Sequence, residues 1–116
     1  MRDLGLQASG ALAIFIAVMH GAIAELRIFA KVRIEPRGSS VLLRMVWQAS
    51  TVSWIAIGVL LIATPSFGSQ SARQWIIAIA IFVYGYAALG NAIATRGRHI
   101  GWMLMSTVVM LAMAGI

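Results

Sequence analysis

Few residues in this chain could do chemistry. His20 and Glu25 stand in "MHGAIAELRIF", residues 19–29, where an apolar run meets its first charges. Ionisable groups within a membrane-spanning segment are functional candidates by default. An imidazole and a carboxylate so close in sequence could relay a proton. Helical geometry separates them: five residues turn a helix by about 140°, so the two side chains do not face each other. His20 then has three readings. It is a hydrogen-bonded structural histidine, a proton-carrying or ligand-binding group, or a ligand to haem or a pigment. Glu25 is expected to pair with Arg44 across the first hairpin, or to be solvated. Trp47, Thr51, Trp54, Tyr84 and Asn91 complete the ligand-binding or proton-carrying candidates.

No enzyme constellation accompanies them. Asp3, Glu25 and Glu35 are the only carboxylates, and there is no cysteine. Two histidines without a carboxylate cluster do not make a zinc site, so no metal is expected. There is no Gly-rich phosphate loop and no serine-nucleophile motif.

The elements that position these residues follow from composition. The chain is 61% hydrophobic and 10% charged, against about 45–50% and about 25% in soluble domains. With 116 residues it forms one domain, and the bilayer is its natural solvent. About 20 apolar residues cross a membrane as a helix. Residues 4–24, 41–63, 75–95 and 100–116 supply four such spans. The expected fold is therefore all-α, an integral membrane four-helix antiparallel bundle over residues 1–116. Ala22-Ile23-Ala24 has the form of a signal-peptidase site, but Asp3 offsets Arg2 and leaves the basic n-region weak. The segment reads as a mature helix.

Turn chemistry separates the spans. Pro36 disfavours helix in the residue before it, and a serine of Ser39-Ser40 is expected to cap helix 2. Thr64 to Ser69 form a second turn, and Ser71 to Gln74 have capping-box spacing. Gly97 can take the left-handed cap in Arg96-Gly97-Arg98. Arg27, Lys31, Arg33, Arg37 and Arg44 lie in or beside the first connector, and Arg96 and Arg98 lie in the third. The positive-inside rule puts these connectors in the cytoplasm and both termini outside. The basic residues read as a topology signal and an attraction for anionic lipid. Their place in connectors argues against nucleic acid, despite a net charge of +6.

Helices in lipid associate through small and hydrogen-bonding residues. Ala13, Ala17, His20 and Ala24 share one face of helix 1, and Trp47, Ser50, Thr51, Trp54 and Gly58 one face of helix 2. Tyr84, Ala87, Ala88, Asn91 and Thr95 do so on helix 3, and Met103, Ser106, Thr107 and Met110 on helix 4. If these faces meet, a polar and aromatic cluster fills the cytoplasmic half.

Two resemblances bear on function. In size and four-span layout the chain resembles the small multidrug resistance family, which implies a dimeric proton-coupled transporter. That family carries an essential glutamate in the middle of helix 1. Here the middle holds Ile14 to Val18, and Glu25 stands at the end. His20, the basic hairpin Arg27 to Arg37 and Trp47-Gln48 also resemble a group of small bacterial inner-membrane proteins of uncharacterised activity, which implies the four-helix fold alone. The expected function is a binding or structural subunit of an oligomeric inner-membrane complex, a homo-oligomer or a larger assembly. Its cytoplasmic half would have a pocket for lipid, quinone or pigment. The alternative is the small dimeric transporter.

Overall fold

The computed structural model describes residues 2–116. Those residues form four α-helices and no strand. Helix α1 spans Arg2–Ile23 and runs on through a π-helical turn, Ala24–Ile28. Helix α2 spans Arg37–Ala63 and tightens into a 3-10 turn, Thr64–Phe67. Helices α3 and α4 span Gln70–Thr95 and Gly101–Met113. Three helices, Arg2–Ile28, Arg37–Phe67 and Gln70–Thr95, are long and apolar enough to cross a membrane. The fourth apolar run, 100–116, contains only 13 residues of regular α-helix. That is about 20 Å. Its end tightens as the Gly115 N–H donates to the Ala112 carbonyl and the Ile116 N–H to the Met113 carbonyl.

The caps differ from the expected ones. No serine caps α2. It begins at Arg37 after an extended Pro36, whose carbonyl accepts from the Ser39 and Ser40 N–H groups. A helix start needs no N–H from its first residues and proline's φ is fixed, so α2 begins after Pro36 without the help of a side chain. Helix α3 is capped by Ser69, whose hydroxyl accepts from the Ala72 N–H at 3.1 Å, and Ser71 lies inside its first turn. At the end of α3 both Arg96 (φ 55°) and Gly97 (φ 74°) are left-handed. The Gly97 N–H bonds to the Ala92 carbonyl and the Arg96 N–H to the Ile93 carbonyl. This pairing closes the helix with arginine in the position expected for glycine.

Helix α1 packs most extensively on α2, α3 on α4, and α1 on α4, while α2 and α3 touch little. The α1–α2 contact is backbone to backbone at Gly10 and Gly58. A Cβ at Gly10 would lie 2.5 Å from the Gly58 oxygen, and one at Gly58 would lie 2.8 Å from the Gly10 oxygen. Such approach is what small residues permit between apolar helices. Ser9 donates to the Val108 carbonyl at 2.7 Å, tying α1 to α4. The buried core has two clusters. Ala13, Ile16, Tyr84, Ala88, Met105 and Val108 form the first. Leu6, Leu61, Ile77, Ala80 and Ala112 form the second. Asp3 meets Arg73 and Ala13 meets Tyr84, so α1 and α3 run parallel. The α1–α2 and α3–α4 connectors therefore share one end of the molecule, and seven of the nine basic residues lie in or beside them.

Candidate functional site

Glycine again sets the geometry at that basic end. A Cβ at Gly21 would lie 2.9 Å from both Gln48 Oε1 and Thr51 Cγ2. Its absence lets the polar face of α2 lie against the last turn of α1. The His20 ring then meets two indoles. It stacks on Trp47 with centroids 4.7 Å apart and planes 12° from parallel. Trp54 lies 4.4 Å away on a tilted plane, and Tyr84 lies 5.4 Å beyond Trp54. The π turn adds a fourth aromatic. Its wider winding, with the Phe29 N–H donating to the Ala24 carbonyl at 2.8 Å, brings Phe29 edge-on to Trp47 at 6.0 Å. Edge-to-face and offset rings at such distances attract through their quadrupoles.

Hydrogen bonds hold the stack. Trp47 Nε1 donates to the His20 carbonyl at 3.1 Å and Gln48 Nε2 to the Gly21 carbonyl at 3.1 Å. Two donors from α2 thus close on the end of α1. His20 Nε2 and Ser50 Oγ are 2.9 Å apart, and the Ser50 hydroxyl donates to the Trp47 carbonyl at 2.5 Å. A hydroxyl has one proton to give. With that proton on the Trp47 carbonyl, Ser50 Oγ accepts from His20, which places the imidazole proton on Nε2. His20 Nδ1 makes no hydrogen bond among the described residues. Tyr84, fully buried, donates to the Ala13 carbonyl at 3.1 Å and lies 3.3 Å from the Trp54 carbonyl, so it locks α3 to both helices of the hairpin.

Glu25 and Arg44 form the expected pair. Arg44 Nε donates to Glu25 Oε1 at 3.0 Å, and a terminal guanidinium nitrogen meets Oε2. Gln48 Nε2 donates to the same Oε1 at 2.9 Å. Glu25 is therefore directed toward the start of α2, and His20 toward Ser50 and the indoles. The structure keeps the two side chains apart.

The structure brings together His20, Trp47, Thr51, Trp54 and Tyr84. Asn91 lies elsewhere. Its Oδ1 accepts from the Trp102 N–H at 3.1 Å and so caps α4. Met103 is exposed and Ser106 lines a groove between α3 and α4. The four small-residue faces thus do not converge on one cluster, because α3 turns this end toward α4 and touches α2 little. Arg27, Lys31, Arg33, Arg37, Arg96 and Arg98 are exposed at the connectors. Arg33 pairs with Glu35 at 2.7 Å.

Gly21, Phe29, Gln48 and Ser50 belong to the site and were not among the candidates. Ser50 was legible as a member of the α2 stripe. Phe29 was not, because its position depends on the π turn. A second polar cluster, at the opposite end, was also missed. Arg73 donates to the Gly115 carbonyl at 2.7 Å and to Asp3 at 2.8 Å. It joins the starts of α1 and α3 to the end of α4.

Chemically, the His20 site is an imidazole with one nitrogen held by a hydroxyl and two indoles packed against its ring. Among the described residues no three His, Asp or Glu side chains come together as a metal site would require. No family model, curated protein or solved structure matches this chain.

Proposed function

We propose that this chain is a small polytopic inner-membrane protein that serves as a binding or structural subunit of an oligomeric complex. Connectors 1 and 3 face the cytoplasm and both termini lie outside. The four helices form one antiparallel bundle, with the His20 stack as an internal brace of the α1–α2 hairpin. The observation that carries this reading is the outward face of α2. Over 27 residues α2 buries only Gly58 and Leu61. Ala49, Ser53 and Ala56 are exposed. Their spacing of four and three aligns them on the side of α2 opposite Gly58. The Ser53 hydroxyl donates back to the Ala49 carbonyl at 2.8 Å, so it carries no unpaired proton into lipid. A row of small residues on an uncovered membrane helix lets another helix approach closely. A two-fold pairing of α2 with its own copy is the simplest such arrangement.

The chain has no cysteine, so a single Ser53→Cys substitution tests this in native membranes. Oxidation is expected to give a disulfide-linked dimer, or a cross-link to another subunit. Phe82→Cys, on an exposed face of α3, should give neither. Exclusively monomeric Ser53→Cys protein would defeat the subunit reading.

The transporter reading draws on one observation, the free Nδ1 of His20. A proton-coupled carrier would use that nitrogen. Flux in liposomes should then disappear in His20→Ala protein, whereas flux that persists in both His20→Ala and Glu25→Gln removes the two proton carriers this reading has.

A further inference from the structure

A groove of about 390 Å³ runs between α3 and α4, and no residue of α2 lines it. Gly85, Ala88, Leu89 and Ala92 form one wall, and Trp102, Ser106, Val109 and Met110 the other. From Trp102 to Met110 it extends about 12 Å, most of one leaflet of a hydrocarbon core about 30 Å thick. A polymethylene chain matches this length and the mostly apolar walls. The floor is open at Gly85, where an added Cβ would meet nothing within 4 Å.

The mouth of the groove is basic and rigid. Arg96 and Arg98 flank Gly97, directly after the Ala92 turn of α3. Both are exposed and neither forms an ion pair among the described residues. Trp102, a wall residue, donates its indole N–H to the Gly97 carbonyl at 3.0 Å. The left-handed Arg96 and Gly97 close α3. The first amides of α4 are already occupied: the Gly101 N–H bonds to His99 Nδ1 and the Trp102 N–H to Asn91 Oδ1. Charge at the mouth therefore comes from the two guanidiniums and not from free helix amides. An apolar groove whose α3 wall runs on, one turn past Ala92, into two exposed arginines without ion partners is complementary to an acyl chain with an anionic head.

We infer that the α3–α4 groove is a binding site for an anionic phospholipid, one acyl chain lying along Gly85–Ala92 and Trp102–Met110 and the phosphate between Arg96 and Arg98. The site is distinct from the His20 stack and from the α2 face, and it stands even if no subunit docks on α2. It rests on the chain lying in a bilayer.

Native mass spectrometry of the delipidated, full-length protein tests the assignment, with phosphatidylglycerol and phosphatidylcholine of identical acyl chains as probes. A basic residue near an anionic membrane surface is worth about a fivefold preference, so two give about 30-fold. The first bound phosphatidylglycerol should therefore be retained about 30-fold more strongly than phosphatidylcholine. Arg96→Gln with Arg98→Gln should bring that ratio close to one. Gly85→Leu adds bulk to the groove from a Cβ position with nothing within 4 Å and should weaken both lipids with both arginines in place. Unchanged helix content by circular dichroism shows that each variant is folded. Equal retention of the two lipids by the parent protein, or phosphatidylglycerol retention untouched by Gly85→Leu, would overturn the inference. So would a groove covered by a second copy, seen as loss of lipid binding upon dimerisation.

Discussion

The Gly10–Gly58 contact makes a prediction whose sign depends on position alone. Gly10→Ala places a Cβ 2.5 Å from the Gly58 oxygen, 2.7 Å from Ile62 Cγ1 and 3.1 Å from the Ile62 nitrogen. Two of these three atoms are backbone, so no rotamer change relieves the clash. Restoring ordinary contact needs α1 and α2 to separate by roughly 0.5–1 Å. A gap of that size forfeits a quarter to a half of each dispersion contact along the seam. Overpacking of this kind costs about 1–3 kcal/mol. Gly85→Ala is the control, because the same methyl there meets nothing within 4 Å. Both substitutions gain alanine's helix propensity of about 0.8–1 kcal/mol, so the difference between them isolates the clash. Unfolding in mixed micelles of a mild detergent and dodecyl sulfate, followed by circular dichroism, should place Gly10→Ala about 1–3 kcal/mol below Gly85→Ala. The Gly10→Ala/Gly58→Ala double variant should cost less than the sum of its singles, since one separation relieves both clashes. Gly10→Ala and Gly85→Ala proteins of equal stability would refute the backbone contact. Strict additivity in the double variant would refute the shared separation.

Tyr84→Phe removes one hydroxyl whose acceptors lie on helical carbonyls, and should cost about 1 kcal/mol; Tyr84→Ala also empties a buried ring and should cost about 3–5 kcal/mol by the same unfolding assay. Ser50→Ala leaves the His20 Nε2–H without its acceptor, which should cost about 1–3 kcal/mol. Nitrogen NMR of the imidazole should then show the Nδ1–H tautomer gaining population, and an unaltered tautomer would remove Ser50 as its determinant. Arg73→Gln should cost about 1.5–3 kcal/mol because it loses charge-assisted bonds from a side chain only 11% exposed. Asp3→Asn should cost at most about 1 kcal/mol, since its carboxylate is 60% exposed.

The legible parts of the molecule were those controlled by local composition. Apolar runs marked the helices, because a peptide group in lipid must bond within its own segment. Pro36, Gly68 and Gly97 marked the turns. The Glu25–Arg44 pair was one of two readings, beside solvation, because Arg44 stands on the opposite wall of the hairpin while the other basic residues of the connector lie nearer its tip. His20 and Glu25 separated for the reason helical angle suggests. Small stripes were less informative. They showed that Ala17, Gly58 and Ala88 belong to contact faces, but any small stripe fits any other. Nothing in the spacing said that Asn91 would cap α4 and stay out of the His20 cluster.

By itself, then, the sequence determined four apolar helical segments, their breaks and the basic end, and offered the hairpin ion pair beside solvation of Glu25. Each depends on hydropathy, turn residues or charge within a short reach of chain. Only the tertiary structure decided the rest: the π turn that delivers Phe29, the Ser50 hydroxyl that selects the His20 tautomer, the Gly10–Gly58 seam, the Arg73 clasp and the α3–α4 groove. These depend on which helices touch and at what register. Between apolar helices, that choice rests on small differences in shape and on single hydrogen bonds, and such differences have no signature in hydropathy.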